Sequence, residues 1–321
     1  MISRRDLLLG AATAAAAFAT RPRSVSATAS QPKTSVAFDV PPGACDCHTH
    51  VFGEPTLFPF AAGRTYTPEP ASVSELRALH RALRTTRVVI VQPSVYGTDN
   101  ACTLDALKQI GPAARGVAVI DERTPESTLD AMAQAGVRGI RVNLLTAGVI
   151  DPGAARQRFQ FAADRAKRRR WHVQIYASVG VIDAIKDVLH ASPVPVVFDH
   201  FGGIQAGRGV QQNGFSTVVS LVRSGKAYVK MSAPYLASTQ QPGYEDVAPF
   251  ARALVEANPR YLLWATNWPH PSAAGTRPVA EISPLRTVDD GQVFNLFPAW
   301  VPDAAQRRMI LVENPARLYG F

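Results

Sequence analysis

Cysteine is scarce in this sequence, since only three of its 321 residues are cysteines. Cys45 and Cys47 stand too close together for a relaxed mutual bridge, and Cys102 lies far from both. A framework of disulfide bonds is therefore not expected. The chain is long enough, at 46% hydrophobic residues, to bury one large core or two modest ones.

Three further features are missing, and each argues against a class of protein. The longest apolar stretch, near the N-terminus, has about 13 residues, too few for a comfortable membrane span. No lysine- and arginine-rich tract is interleaved with aromatic residues, so no nucleic-acid partner is expected. No glycine-rich phosphate turn follows the first predicted strand, which disfavours a dinucleotide-binding doubly wound sheet.

The N-terminus carries paired arginines ahead of that apolar stretch. Arg4 and Arg5 precede it, and the small residues of 25–27 follow it, a pattern typical of a twin-arginine export signal. We predict a signal peptide over 1–27, a linker over 28–42, a single catalytic domain over 43–321, and a periplasmic location. Removing the leader would lower the net charge from +9 to +6, which suits a small anionic ligand.

Strand-like and helix-like segments alternate along the rest of the chain. The predicted strands are 45–51, 87–92, 115–120, 137–143, 171–177, 194–200, 226–232 and 260–267. The amphipathic segments between and after them are 72–84, 101–110, 126–135, 154–170, 179–191, 214–224, 244–258 and 303–318. Eight strands, each followed by a helix, predict an α/β fold of the (βα)8 TIM-barrel type.

The first predicted strand carries the sequence Asp46-Cys47-His48-Thr49-His50. Regular alternation would place Asp46, His48 and His50 on one face, where a packing strand would be aliphatic. Convergent imidazoles can bind a metal, polarise a carbonyl or shuttle protons. The strand is therefore interpreted as catalytic.

Polar residues also stand at the carboxyl ends of most other predicted strands, where TIM barrels place their active sites. They are Gln92, Ser94, Arg141, Asn143, Tyr176, Asp199, His200, Lys230, Ser232, Asn267 and His270. We expect these groups to converge at one mouth of the barrel.

From about Pro41 to Tyr319 the chain resembles the amidohydrolase superfamily, in the branch of lactone enzymes related to 2-pyrone-4,6-dicarboxylate hydrolase. The matching motifs are Asp46-x-His48-x-His50-Val51-Phe52-Gly53, Gly97-Thr98-Asp99-Asn100, Arg138-Gly139-Ile140-Arg141, Asp199-His200 and Trp268-Pro269-His270-Pro271. Together these motifs are specific, whereas each alone is weak.

The resemblance implies a role for each matched residue. His48, His50 and His200 would polarise a lactone carbonyl and stabilise the oxyanion, with Arg141 pairing with a substrate carboxylate. Tyr66, Ser94, Tyr176 and His270 would complete the substrate pocket. Histidines 80, 172 and 190 are expected to be structural.

Two departures from the pyrone hydrolase pattern bear on the reaction. Asn267 replaces the aspartate expected to take a proton from water, and asparagine cannot act as that base. The loops after strands 4, 6 and 7 also lack an additional arginine, so a substrate with fewer or differently placed anionic groups is expected. The resemblance implies no required metal, although His48, His50 and His200 would suit zinc with an open coordination position.

The sequence therefore predicts an exported lactone hydrolase acting on a small anionic lactone of the muconolactone, sulfomuconolactone or pyrone-carboxylate type, as a monomer or small homo-oligomer. One alternative is a lactone isomerase like galactarolactone isomerase, in which a substrate hydroxyl replaces water. Another is a non-catalytic periplasmic solute-binding barrel. Asn267 favours both alternatives, and the three retained histidines oppose the second.

Overall fold

Eight parallel strands form the central sheet of the computed structural model, which describes residues 29–273 and 275–321. They are β1 Cys45–Thr49, β2 Arg87–Val91, β3 Ala114–Ala118, β4 Val137–Asn143, β5 His172–Tyr176, β6 Val196–Phe198, β7 Ala227–Ser232 and β8 Leu262–Ala265. Each strand pairs with the next in sequence. Backbone hydrogen bonds from Asn267 N to His48 O and from His50 N to Trp268 O, 2.9 and 2.8 Å, bring β8 against β1. The TIM-barrel prediction is confirmed, with every strand boundary within two residues of its predicted position.

Helices cover the outside of the sheet. The longer ones are Val73–Leu83, Ala101–Ile110, Glu126–Gln134, Pro152–Lys167, Val179–Ala184, Phe215–Arg223 and Ala248–Ala257. The shorter ones are Lys186–His190, His200–Gly203, Pro234–Ala237, Asp290–Phe294, Phe297–Trp300, Ala304–Arg308 and Asn314–Tyr319, with a π-helical turn at Met309–Glu313. Side-chain caps mark where two of these helices begin. Ser72 and Glu75 form a capping box ahead of Val73–Leu83, and the Asp151 carboxylate accepts from Ala154 N at 2.7 Å at the start of Pro152–Lys167.

The helix predicted over 179–191 is wrong as a single element. It is two helices, because Ile185 leaves the helical region at φ −115° and ψ 18°. Ile182, Ile185 and Leu189 are all buried, so the apolar periodicity continues through the break and conceals it in the sequence. Four short helices, at 200–203, 234–237, 290–294 and 297–300, were also not predicted from the sequence.

One extra residue in β1 decides which of its side chains face the barrel interior. Asp46 pairs with Val88, and Thr49 pairs with Ile90. The step is three residues in β1 but two residues in β2, so β1 contains a bulge. The expectation that Asp46 shares a face with both histidines is wrong. Asp46 lies on the outside, 3.4 Å from His80 of the first helix, whereas His48 contacts groups inside the barrel.

The segment ahead of the barrel, over residues 29–42, contains no helix or strand and is tied to the region after β8. Trp268 Nε1 donates to Ser30 O at 3.0 Å, and Thr34 Oγ1 donates to Asp289 at 2.7 Å. The predicted signal peptide lies outside the described residues. Within the described part of the chain, no helix is long and apolar enough to cross a membrane.

Candidate active site

A cavity of about 550 Å³ opens at the carboxyl ends of the strands. Seven of the nine predicted site residues line it: His50, Tyr66, Ser94, Arg141, Tyr176, His200 and Asn267. His48 is fully buried directly beneath, with its ring centroid 4.9 Å from that of His50 and 4.8 Å from that of His200. The structure therefore brings the three imidazoles together, as their positions at the strand ends predict.

The hydrogen bonds of His50 and His48 determine which ring nitrogens are free. His50 Nδ1 donates to the Val91 carbonyl at 2.7 Å, so its Nε2 carries a lone pair, 3.3 Å from Nε2 of His48. Nδ1 of His48 lies between Asp199 Oδ1 at 3.1 Å and Lys230 Nζ at 3.2 Å. A proton on His48 Nδ1 bonds to Asp199, whereas a proton on its Nε2 bonds to His50 and leaves Nδ1 to accept from Lys230. Small shifts of charge around His48 thus select its tautomer.

A buried ion pair lies under the imidazoles. Lys230 Nζ is 3.4 Å from Asp199 Oδ1 and donates to Gln174 Oε1 at 2.6 Å, while Gln174 Nε2 donates to Asp199 Oδ2 at 3.1 Å. Burial raises the pKa of Asp199, but His48 and Lys230 outweigh it and hold that pKa well below its ordinary value. Asp199, which was predicted at this mouth of the barrel without a role, is therefore an anion next to His48.

The three imidazoles are neutral at neutral pH. Burial, reinforced by the charge of Arg141, lowers the pKa of His50 to about 3 and that of His200 to about 4. Burial also holds the pKa of His48 well below its ordinary value, against the opposing effect of Asp199. Neutral imidazoles can accept a proton from water or hydrogen-bond a developing charge.

Arg141 lines the cavity, and only some of the N–H groups of its guanidinium have a partner in the protein. Its Nη1 donates to the Gln92 carbonyl at 3.1 Å, and its Nη2 lies 3.7 Å from Asp199 Oδ2. The buried Nε has no hydrogen-bond partner within the described structure. A buried donor without a partner is costly, so this geometry favours a substrate oxygen as the missing acceptor.

The tyrosine and serine side chains on the opposite wall are connected. Tyr66 hydrogen-bonds Ser94, and burial raises the pKa of Tyr66 to about 12, so its hydroxyl stays protonated. Tyr176 packs edge-on against His200 at 5.0 Å between ring centroids. These hydroxyls can donate to a substrate without carrying charge.

Asn267 is oriented by a directional hydrogen-bond chain. His270 Nε2 donates to Asp290 at 2.9 Å, so His270 Nδ1 accepts from the Tyr235 hydroxyl at 2.9 Å. Asn267 Nδ2 donates to the same Tyr235 oxygen at 2.9 Å, which commits one of its two N–H groups. The Asn267 oxygen and its second N–H remain to hold water or substrate in the cavity.

His270 does not line the cavity, contrary to its predicted role in binding substrate. It is fully buried behind Asn267, and both of its ring nitrogens are occupied by Tyr235 and Asp290. Lys230 was predicted at the mouth of the barrel but without a role, whereas Gln174 and Tyr235 were not predicted. The position of Lys230 inside the strand Ala227–Ser232 was a signal for a buried partner, since lysine is seldom fully buried without one.

The site contains donors that suit a metal ion. Ligand atoms of His48, Asp199 and His200 lie within 4.8 Å of one another. Imidazole nitrogens with one carboxylate are a donor set that zinc accepts. Asp199 thus adds an anionic ligand to two of the three histidines for which the sequence suggested a zinc site.

Comparison with known proteins places this site in a family. The family model described as amidohydrolase matches residues 45–321. The chain belongs to this amidohydrolase family. The family and the barrel that the sequence resemblance predicted are thus confirmed.

Relatives of this amidohydrolase act on lactones. The 2-pyrone-4,6-dicarboxylate hydrolase of Comamonas testosteroni is 36% identical over 88% of this chain and 92% of its own. The 4-sulfomuconolactone hydrolase of Rhizobium radiobacter is 32% identical over 89% of this chain and 92% of its own. The D-galactarolactone isomerase of Agrobacterium fabrum is 30% identical over 92% of this chain and 96% of its own.

A solved structure from Pseudomonas putida, provisionally assigned as a 2-pyrone-4,6-dicarboxylic acid hydrolase, superposes on this amidohydrolase with a TM-score of 0.72. Its sequence is 30% identical, and the match covers 88% of this chain and 98% of that one. The shared architecture extends over essentially the whole barrel.

Proposed function

We propose that this amidohydrolase opens the ring of a small anionic lactone by hydrolysis. The observation that carries the proposal is a single cavity in which the neutral imidazoles of His50 and His200 face the partly unpaired guanidinium of Arg141. Relatives named as lactone hydrolases, at 32 and 36% identity over most of the chain, support it.

In this reaction a water oxygen bonds to the lactone carbonyl carbon while an imidazole takes the water proton. With Ser232 Oγ accepting from His200 Nδ1 at 2.9 Å, Nε2 of His200 carries the lone pair that serves as base. The ring C–O bond then breaks, and the imidazolium returns its proton to the leaving oxygen. The Tyr66 hydroxyl donates to the oxyanion, and Asn267 holds the water. The lone pair on His50 Nε2 accepts from His48 when the His48 proton is on Nε2.

Turnover of a lactone panel in H₂¹⁸O tests this proposal. The panel contains muconolactone, 4-sulfomuconolactone, 2-pyrone-4,6-dicarboxylate and an aldarolactone, and ring opening by water should label the carboxylate product. His48→Ala, His50→Ala and His200→Ala should each lower kcat by about 10²-fold with circular dichroism unchanged. Near-wild-type turnover in two of the three variants would show that the chemistry lies elsewhere.

A lactone isomerase is the second candidate, because Asn267 offers an oxygen that can orient a hydroxyl but cannot accept its proton. A substrate hydroxyl would then attack the carbonyl in place of water, and no solvent label would enter. Asn267→Asp discriminates the two. Label in the wild-type product supports hydrolysis, whereas label only in the variant supports isomerisation. Binding without turnover in either protein would support a solute-binding role.

We further propose that the reaction requires no metal. Lys230 places a buried cation 3.2 Å from His48 Nδ1 and pairs with Asp199, so two of the candidate ligands already have a charged partner. The measurement is metal content by mass spectrometry before and after dialysis against a chelator, together with activity. Loss of a stoichiometric metal along with turnover, both restored by zinc, would refute this part.

We also propose export to the periplasm by the twin-arginine route, from Arg4 and Arg5 and the small residues of 25–27. Fractionation of cells expressing the full chain should recover the mature protein in the periplasm, and Arg4→Lys with Arg5→Lys should retain it inside. A monomer or small homo-oligomer is expected on size-exclusion chromatography with light scattering.

A further inference from the structure

A second arginine, Arg286, lines the same cavity as Arg141. It lies in the loop after β8. The additional arginines that the sequence lacks would have been in other loops, those after strands 4, 6 and 7. Its backbone N–H donates to the His270 carbonyl at 2.9 Å, and its guanidinium carbon lies 5.8 Å from the centre of the Tyr235 ring. Arg286 is thereby connected to the same group of residues that orients Asn267.

Among the described residues, the guanidinium of Arg286 forms no ion pair with any carboxylate, and no aspartate or glutamate lines the cavity. The nearest acid along the chain, Asp289, already accepts from Thr34 Oγ1 at 2.7 Å and from the backbone N–H groups of Gly291 and Gln292. Arg286 is therefore available to an anion that enters from solvent.

The backbone around Arg286 is held on both sides. Leu285 N donates to Glu69 at 2.9 Å, and Val288 N donates to Ser30 Oγ at 3.4 Å. The loop therefore presents the arginine from a fixed position, which reduces the entropy lost when it binds a ligand.

Tyr176 lines the cavity together with both arginines, and the Arg141 guanidinium carbon lies 6.0 Å from the centre of its ring. Burial raises the pKa of Tyr176, and the charges of Arg141 and Arg286 both oppose that rise. Asp199 is shared between Lys230, at 3.4 Å, and Arg141, at 3.7 Å, so this cluster of one anion and two cations keeps a net positive charge. Two positive groups on separate elements, with no lining carboxylate, fit a ligand carrying two separated negative groups.

We propose that Arg286 is a second anion-binding residue, so that the substrate is a lactone with two separate anionic groups, one held by Arg141 and one by Arg286. This proposal rests on the lactone function proposed above and specifies its substrate class. A guanidinium fork binds a carboxylate or sulfonate through two parallel hydrogen bonds, so Arg286 acts on specificity and not on the reacting carbonyl.

The kinetic test compares two lactones that share a ring and differ by one anionic group, muconolactone and 4-sulfomuconolactone, at fixed ionic strength. Arg286→Met should lower kcat/KM for 4-sulfomuconolactone by about 10-fold or more and for muconolactone by less than about twofold. Arg286→Lys should fall between wild type and Arg286→Met. Arg277→Met, which removes an arginine that does not line the cavity, should leave the ratio of the two substrates unchanged.

Titration calorimetry with benzene-1,3-dicarboxylate and benzoate decides the proposal even if no lactone is turned over. Arg286→Met should weaken binding of the dianion by about 10-fold and spare the monoanion. Equal loss for both probes, no loss for either, or the same loss in Arg277→Met would overturn the assignment of Arg286. Absence of turnover by wild type, with selective loss of dianion binding in Arg286→Met, would instead reject only the hydrolase proposal.

Discussion

Lys230 is a fully buried lysine, and its only charged neighbour of opposite sign is Asp199 among the residues that the structure describes. Lys230→Met would leave the Asp199 charge buried with His48 and Arg141 alone to compensate it. We expect the free energy of unfolding to fall by about 3–5 kcal/mol, measured by urea denaturation. Lys186→Met, which breaks the exposed pair with Asp183, should change it by less than about 1 kcal/mol. Similar small effects in both variants would show that the buried pair is not stabilising.

Arg141 combines a fixed position with an unpaired buried nitrogen. Arg141→Lys keeps the charge and loses the planar fork, so we expect a clear rise in KM for anionic lactones. Arg141→Met loses both and should raise KM further, for muconolactone and 4-sulfomuconolactone alike. Steady-state kinetics measure this directly. An unchanged KM in Arg141→Met would mean that another residue binds the anionic group that the two lactones share.

At the scale of elements, the seam between β1 and β8 positions the site. Asp46 accepts from Thr266 N at 3.0 Å and Thr266 Oγ1 at 2.6 Å, which joins the strand that carries His48 to the strand end that carries Asn267. Asp46→Ala should lower the free energy of unfolding by about 1.5–3 kcal/mol, as expected for hydrogen bonds to a charged group.

Two variants of Thr266 test the contribution of its hydroxyl separately from that of its side-chain size. Thr266→Ser keeps the hydroxyl and should stay close to wild type, whereas Thr266→Val should lose about 1 kcal/mol. If Asp46→Ala has wild-type stability, the seam is held by its backbone hydrogen bonds alone.

At the scale of the whole molecule, buried neutral histidines link stability to pH. Burial lowers the pKa of His50 and His172 to about 3 and that of His200 to about 4, from an ordinary value of 6.5. Below pH 6.5 the unfolded chain binds protons that the folded chain does not. The free energy of unfolding should therefore fall as the pH drops from about 6.5 towards 4, by up to about 1.4 kcal/mol per pH unit for each histidine.

Denaturant titrations between pH 7 and pH 4 measure this slope. His172 lies apart from the cavity, with its ring 5.2 Å from that of Tyr319, so His172→Gln should flatten the slope without changing substrate binding. A slope equal to that of wild type in His172→Gln would show that this histidine is not buried in its neutral form.

Much of the fold followed from local sequence. Short β-branched strands alternate with amphipathic helices, and each pattern depends on which face of an element is buried, so eight strands and their order were predicted to within two residues. The break at Ile185 was not predicted, because the same apolar face continues on both sides of it. The meeting of His48, His50 and His200 was predicted as well, since parallel strand ends must share one mouth of a barrel.

The remaining features depended on contacts between residues far apart in the chain. The bulge in β1 turns Asp46 away from the histidines, because the pairing of β1 with β2 and β8 sets the register and strand propensity does not. The pairing of Lys230 with Asp199, the Asn267–Tyr235–His270 chain and the approach of Arg286 to the Arg141 cavity bring together residues from separate strands and loops. Sequence thus determined the family, the barrel and the identity of the imidazoles, whereas charge state, tautomer and the second anion-binding side chain were decided only by tertiary packing, since each depends on what lies within a few ångströms across the barrel.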